Sequence, residues 1–570
     1  MMLTAPFTKA MKAEPHSPVY TMHKYFARRP WNVFNALIAH YSSPDHIILD
    51  PFCGGGVTIV ESLKLRRKAI GVDVNPLATY VTKMECSPLD LARFQEALSG
   101  LRNRVGHKIS SLYATKCEKC NSEAFAEWLE WDEQDERILR LKYACPKCGG
   151  SEEKLPTKED RVLAQRIVDN FAEEVRANDL WYPQTKVPAG DKTDSLLKQN
   201  VHIFHELFTR RNLLGLSMLF DEIARVKDAE ARSFLQFAFS GSLKWASRQS
   251  HLRGEIVEGW AMHAYWIYPK SLEINVWKTF ERRAAAVLRG KRYSNEHIGQ
   301  NCRLAEDFDS LSANSATCLI LNQSSSKLPM PDSSIDAIIT DPPYGGNVNY
   351  GELSDYWFIW LSKGRTTSKT KEIVINRSQG KRLEDYEASL FSVFQECYRV
   401  LRPQRYLVST FNSKDVRVVA SFVIAASKAG FTLHPKGLLY QKPIRSYTTT
   451  FHAMQIGAFV GDFVFTFFKP KLSESSASRV KNAPSKLRSD LTDLIDETVK
   501  GGMTESELRE KAYRKLIPFL ATNARENTSA CREAVDFFEN EMRNQEQYFA
   551  QLRHKITNAR RTAYGNQRSR

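Results

Sequence analysis

The sequence predicts an α/β protein built on a doubly wound parallel sheet, interrupted by a large insertion and followed by a C-terminal helical region. Three observations carry this expectation. His46-Ile-Ile-Leu-Asp50 is a short apolar run that ends in an acid, continues into Pro-Phe-Cys-Gly-Gly-Gly56, and is followed by helix-compatible spacing over Val57 to Leu65. Lys68 to Asn75 reads as a second strand with Asp73 towards its carboxyl end, and Pro76 opens another helix. After a long interruption, Ile335 to Thr340 reads as a strand that runs into Asp341-Pro-Pro-Tyr344. A sheet of this kind binds its ligands beyond the carboxyl ends of its strands, where both acidic turns lie.

The other elements follow in order. Pro30 begins a helix that carries Val33, Phe34, Leu37, Ile38 and Tyr41 on one face, an ordinary core-facing stripe. From about residue 87 to about 310 the strand–helix alternation stops. That region holds two cysteine pairs, a Pro/Gly/Lys stretch from Val187 to Thr193, and long helical periodicity from Leu196 to Arg248. Beyond the Ile335 strand, Tyr406 to Phe411, Leu433 to Gln441 and Asp462 to Lys469 are three further strands. A Ser/Lys-rich linker from Lys471 to Lys486 leads to helical segments around Asp490 to Thr498 and Glu505 to Phe549. Arg553 to Arg570 carries six Lys/Arg and no acid, a disordered basic tail suited to nucleic acid. The expected boundaries are 20–86 with 311–470 for the sheet domain, 111–152 for a cysteine ribbon, 153–310 for a mostly helical insertion, 471–486 for the linker and 487–570 for the C-terminal region.

Composition sets the class. In 570 residues, 81 Lys+Arg against 65 Asp+Glu give a net charge of +16, which excludes an acidic tail and favours polyanionic partners without choosing among DNA, RNA and acidic lipid. Met1 to Pro18 has no long apolar stretch and no later window reaches about 18 uninterrupted apolar residues, so the expectation is a cytoplasmic protein with no membrane partner. Six of the ten cysteines are scattered without framework spacing, which predicts reduced thiols.

The remaining four are Cys117-x2-Cys120 and Cys145-x2-Cys148, two knuckles able to close a tetrahedral four-thiolate site for structural zinc. The chain between them alternates as a hairpin, with Trp128 and Leu129 on one arm and Ile138, Leu139, Leu141 and Tyr143 on the other. Residues 121–136 hold seven acids and no Lys/Arg, so the hairpin tip is repelled by phosphate and is expected to brace the insertion or meet a protein. Lys244-Trp-Ala-Ser-Arg-Gln-Ser-His-Leu-Arg253 and Arg289-Gly-Lys-Arg-Tyr293 interleave bases with aromatics and are the candidate nucleic-acid surface; a solvated helix face is the alternative.

The glycines after Asp50 let backbone approach a ligand closely, and Asp73, about 20 residues on, adds a second acceptor. An amine on one acid and ribose hydroxyls on the other describe a nucleoside with an amino-acid arm better than a pyrophosphate. At Asp341-Pro-Pro-Tyr344 two prolines lock a carboxylate, an acceptor-only carbonyl (Pro342) and an aromatic ring in fixed relation, a pocket for a planar NH2-bearing group.

With DPFCGGG (50–56), GVDVN (71–75) and TDPPYGGNVNY (340–350), the chain resembles the amino-group class of S-adenosylmethionine-dependent DNA methyltransferases, and within it the adenine-specific enzymes that contain a zinc ribbon. The resemblance extends to HKYFARRPWN (23–32), HELFTRRNLLGLSMLFDEI (205–223), INVWKTFERR (274–283) and GELSDYWFIWL (351–361), and so covers most of residues 20–470. It implies a Rossmann-like methyltransferase sheet, with Lys24 and Tyr25 in a segment that covers the cofactor. Asp50, Pro51, Phe52, Gly54 and Gly56 would line its methionine end, Asp73 would hold its ribose, and Asn75 would also bind the cofactor. Asp341, Pro342, Pro343 and Tyr344 would be catalytic. It further implies DNA as partner, a flipped-out adenine as substrate, and a place in a modification or defence system with a protein partner. An RNA amino-methyltransferase acting on guanine N2 or adenine, and a catalytically silent DNA-binding scaffold subunit, are the alternatives. Two positions depart from the family pattern. Val57 stands where the turn often has Thr, and Cys318 to Leu328 lacks the acid that receives the cofactor's adenine amine, leaving Asn322 or Gln323 to offer a neutral carbonyl.

Overall fold

The structure is a computed structural model that describes residues 5–260, 264–441, 461–471, 484–501 and 503–551. Most of the expected linker and all of the basic tail, 553–570, lie outside the described residues. The main sheet has eight strands: β1 (Ile47–Asp50), β2 (Lys68–Asp73), β3 (Leu304–Ala305), β4 (Cys318–Asn322), β5 (Ala337–Thr340), β6 (Tyr406–Phe411), β7 (Thr432–Gln441) and β8 (Asp462–Phe468). Their spatial order is β3-β4-β2-β1-β5-β6-β8-β7. The first six are parallel, and β8 runs antiparallel between β6 and β7. β7 holds Pro435 beside a register shift between Leu433 and Leu438, which an edge strand tolerates because its outer amides pair with no neighbour.

Alternate residues of these strands feed two cores, as the two-residue strand period requires. Ile48, Ala69, Ala337, Ile339 and Val408 point to one face, packed by the helices Trp31–Tyr41, Val57–Lys64 and Pro76–Cys86 and continuous with the insertion. Ile47, Leu49, Ile70, Val72, Ile338 and Leu407 point to the other, under Leu383–Val400 and Val416–Lys428. The C-terminal helices Pro484–Gly501, Glu505–Asn523 and Thr528–Asn544 stack on that second face through Val416–Lys428. β1 pairs with β2 on one side and β5 on the other, so the order reverses there and Asp50 and Asp341 leave neighbouring strands at the switch point.

The helical run expected from Leu196 to Arg248 is divided. Asp194–Lys198 is one short helix, and two longer ones follow at Arg210–Ala224 and Ala229–Ala246. Thr209 and Asp228 divide them by capping Asn212 N at 3.2 Å and Ala231 N at 2.8 Å. The insertion is also less purely helical than expected, because Lys270–Ile274 joins the ribbon sheet antiparallel to Glu123–Asp132. Among the described residues no helix is long and apolar enough to cross a membrane.

Candidate active site

One segment, His23 to Pro30, crosses the carboxyl end of the sheet and touches everything that matters there. His23 is buried, its Nε2 3.0 Å from Ser240 Oγ of the insertion and its ring stacked on Phe237. Arg28 donates to the Gly55 carbonyl at 2.7 Å and to Glu85 at 2.9 Å. Tyr25 stacks on Tyr350 at 5.8 Å and lies against the glycine turn, 3.2 Å from where a Cβ on Gly54 would sit. The turn has φ +47° at Gly54 and +77° at Gly56, a left-handed course that glycine follows without strain.

Around this turn the two acids are held mainly by nearby backbone. Asp73 accepts Gly54 N at 2.9 Å and Asn75 N at 2.8 Å. Asp50 accepts Phe52 N at 3.1 Å and the Thr340 hydroxyl, from the end of β5, at 2.6 Å. Burial pushes the Asp50 carboxyl up to about 7 and that of Asp73 to about 6, against these hydrogen bonds.

Across the switch point the arrangement is ionic. Arg29 donates through Nε to Asp341 Oδ2 at 2.6 Å, through Nη1 to both oxygens of Asp462 at 3.0 and 3.1 Å, and through Nη2 to the Tyr344 hydroxyl. Asp341 Oδ1 accepts the Tyr344 hydroxyl and the Thr410 hydroxyl, the latter at 2.7 Å. The Tyr344 ring packs against Phe411 and under the Arg29 guanidinium. Burial works against the Arg29 charge, but the Asp341 and Asp462 carboxylates hold it protonated well above the usual guanidinium range. The Pro343 carbonyl accepts the Tyr386 hydroxyl at 2.6 Å, which fixes the far side of the loop.

A single cleft spans both sets. Tyr25, Asp50, Pro51, Phe52, Gly54, Asp73, Asn75, Asp341 and Pro343 all line it. Four expected residues do not. Gly56 caps the following helix and packs on Thr82, Pro342 is buried, and Tyr344 turns its hydroxyl back onto Asp341. Lys24 lies outside the cleft, 5.0 Å from the Phe26 ring, its ammonium brought down to about 7 by burial and by Lys244. The expected amine acceptors at the end of β4, Asn322 and Gln323, do not line the cleft either. Asn322 donates its amide to the Asp73 and Val74 carbonyls and Gln323 to Lys327, while Ser324 and Ser325 line the cleft.

The family segment places Arg28 and Arg29 near the cofactor without giving Arg29 its ion pairs, and sequence reasoning did not assign Asp462, Thr340 or Thr410 to this site. The Arg28-Arg29 doublet before Pro30 was a visible signal; the others carry none short of the sheet topology. The basic stretches expected to form a nucleic-acid surface are divided between interior and surface, with Arg253 exposed beside Glu258. Arg248 pairs with Glu133 and Lys291 is fully buried on the Met84 and Glu85 carbonyls, though Arg289 and Arg292 are exposed.

The four ribbon cysteines do converge, with their sulfurs within 4.8 Å of one another. Cys117 and Cys148 are 3.8 Å apart and Cys120 and Cys145 3.6 Å. Corners of a zinc tetrahedron with Zn–S near 2.3 Å are about 3.8 Å apart, so the donor set fits that ion. The acidic hairpin braces the insertion: besides its strand pairing, Glu127 meets Lys278 at 3.1 Å and Glu133 meets Arg248 and Ser271. All ten cysteines are free.

Comparison with known proteins agrees with this geometry. The DNA methylase family profile matches residues 7–83, the segment that holds His23 to Pro30, β1, the glycine turn and β2. The type II methyltransferase M.MjaII of Methanocaldococcus jannaschii is 20% identical over 352 residues, 58% of this chain and 58% of that protein. The type II methyltransferase M.MvaI of Kocuria varians is 21% identical over 322 residues, 55% of this chain and 50% of its own. The chain spans about half the length of the curated relatives it matches. It is a distant match to the DNA methylase family and to type II methyltransferases.

Proposed function

We propose that this chain transfers a methyl group from S-adenosylmethionine to the N6 amine of an adenine in DNA, on a nucleotide flipped out of the duplex. The single observation that carries the reading is that the glycine turn after β1 and the Asp341-Pro-Pro-Tyr344 loop after β5 share one cleft at the switch point of the sheet. The residues present fit such a donor: a left-handed glycine turn under an aromatic ring, with a carboxylate at the end of β2 where ribose hydroxyls would lie. When bound, S-adenosylmethionine supplies an electrophilic methyl on its sulfonium.

The chain's own residues then have to orient the amine. Asp341, which lines the cleft, accepts one of its hydrogens. For the Pro342 carbonyl to accept the other, drawing the nitrogen lone pair out of ring conjugation, and for Tyr344 to give the base a stacking face, the loop has to turn both towards the cleft, which neither lines in this structure. For this, Arg29 has to leave Asp341 Oδ2. Asp462, already bound to the same guanidinium through both oxygens, keeps it paired when it does. A stacked base cannot reach so recessed a carboxylate, hence the flipping. Most of the rate then comes from orientation and polarisation rather than from a covalent intermediate.

The test is to incubate the full chain with methyl-labelled S-adenosylmethionine and duplex DNA, single-stranded DNA or RNA, followed by base analysis. Label is expected in DNA as N6-methyladenine. Asp341→Ala should lower transfer by about 10³-fold or more while the chain stays folded. Label confined to RNA or to cytosine, or an active Asp341→Ala, would refute the reading.

A further inference from the structure

Four acids line the cleft: Asp50, Asp73, Asp341 and Glu372. Hydrogen bonds within the protein engage the first three, as described above. Glu372 differs. It is only 9% exposed, and its Oε1 accepts Gly351 N at 2.9 Å at the start of the Tyr350–Leu361 helix. Its Oε2 is buried and has no hydrogen-bond partner among the described residues. The cations around it are committed elsewhere. Lys369 Nζ binds Asp355 at 2.7 Å and the Thr367 carbonyl at 3.2 Å, and Lys381 Nζ binds the Lys369 and Glu372 carbonyls at 2.6 and 2.8 Å.

A buried carboxylate oxygen without a donor is costly, and a native chain retains one where a ligand completes it. The best complement is a full positive charge with hydrogens to give, because charge-assisted bonds are the strongest available to a carboxylate. Glu372 shares the cleft wall with Gly351 and Tyr350, and Tyr350 stacks on the Tyr25 ring that lies over the glycine turn. Lys371 lines the same wall, so the wall offers one charge of each sign to a zwitterion. Burial pushes the Glu372 carboxyl up to about 7, against the Gly351 N hydrogen bond and the Lys381 and Lys369 charges.

We propose that Glu372, whose Oε2 has no protein donor among the described residues, receives the α-ammonium of the amino-acid arm of the methyl donor, rather than Asp50, which already accepts Phe52 N and the Thr340 hydroxyl. The assignment rests on the reading above that the cleft takes S-adenosylmethionine. It is tested by binding rather than turnover, on the full chain, with two ligands: S-adenosylhomocysteine, which has the ammonium, and 5′-methylthioadenosine, which lacks the whole arm. Glu372→Gln keeps an Oε1 to accept Gly351 N and removes the charge. It should weaken S-adenosylhomocysteine about tenfold or more and leave 5′-methylthioadenosine unchanged. An unchanged affinity for S-adenosylhomocysteine would overturn the assignment. So would an equal loss for both ligands together with a lower melting temperature, since Glu372 would then only support the helix start. Failure of the unaltered chain to bind S-adenosylhomocysteine at all would instead remove the methyl-donor reading, and the assignment with it.

Discussion

The two ends of the cleft hold their acids by different means. At the glycine-turn end, Asp50 and Asp73 are fixed by backbone amides within the first βαβ unit and by the hydroxyls of Thr58 and of Thr340 from the adjoining strand. Among the described residues no cation pairs with either. At the other end, Asp341 and Asp462 share Arg29, whose guanidinium reaches across from a segment that precedes the first strand. Fixed dipoles make a receptor whose shape is set before a ligand arrives. A shared cation makes a latch, because one ion pair can open while the other holds. The difference assigns rigidity to the donor side of the proposed reaction and movement to the acceptor side.

Substitutions at the two ends should therefore separate affinity from turnover. Gly56→Ala is the larger perturbation. Its Cβ would sit 2.8 Å from Thr82 Oγ1 and 2.9 Å from Cγ2, at φ +77°. A left-handed non-glycine residue costs about 1–2 kcal/mol, and Thr82, which bonds the Gly54 carbonyl at 3.1 Å, has to shift as well. Restoring the turn on binding should weaken S-adenosylhomocysteine by about 30-fold, read by calorimetry, with DNA affinity unaltered. Adding Thr82→Ala should recover part of the loss. Tight binding by Gly56→Ala would mean the turn is not preformed.

Asp462→Asn probes the latch and should act on the other parameter. With the second carboxylate neutral, Arg29 has Asp341 as its only anionic partner in the cluster, and displacing it becomes harder. If that adds about 1.4 kcal/mol to the barrier, kcat falls about tenfold while the donor Kd stays the same. A kcat that is unchanged or higher would show that Arg29 does not have to leave Asp341, and the contrast between the ends would lose its functional meaning.

The contrast also explains what could be read in advance. β1, β2, β5 and β6 are mostly apolar runs buried on both faces, so composition alone marks them, and the acids at the ends of β1, β2 and β5 mark the cleft. β3 has two residues and no pattern to find. The splits at Thr209 and Asp228 were written in capping residues, but the apolar period runs on through them and masked the breaks. Lys270–Ile274 completes the ribbon sheet from a stretch flanked by helices, and no local feature announces a partner about 140 residues away. Arg29 and Glu372 belong to the same class: their roles follow from which elements the topology brings together. Lys291 was misread for the opposite reason, because a basic residue among aromatics looks like a phosphate clamp until its ammonium is found capping two buried carbonyls.

The smallest expected effect isolates the receptor end by pH. Asp50 titrates at about 7 in the folded chain, raised by burial from the usual carboxylate range near 4. Between those values the folded chain holds a proton that the unfolded chain has released. This contribution to stability is therefore fullest below about pH 4, shrinks as pH rises towards 7, and is gone above it. Asp50→Asn keeps an oxygen to accept the Thr340 hydroxyl and Phe52 N but cannot titrate. Glu85 and Glu372, each near 7, and Asp73, near 6, titrate in the same window in both proteins, so the difference between the two curves reports Asp50. From pH 5.5 to 8.5, the melting temperature of Asp50→Asn should fall about 2 °C less than that of the unaltered chain. Parallel curves would mean that Asp50 carries no buried charge penalty, and the glycine-turn end would then owe its shape to something other than the closed set of dipoles around that acid.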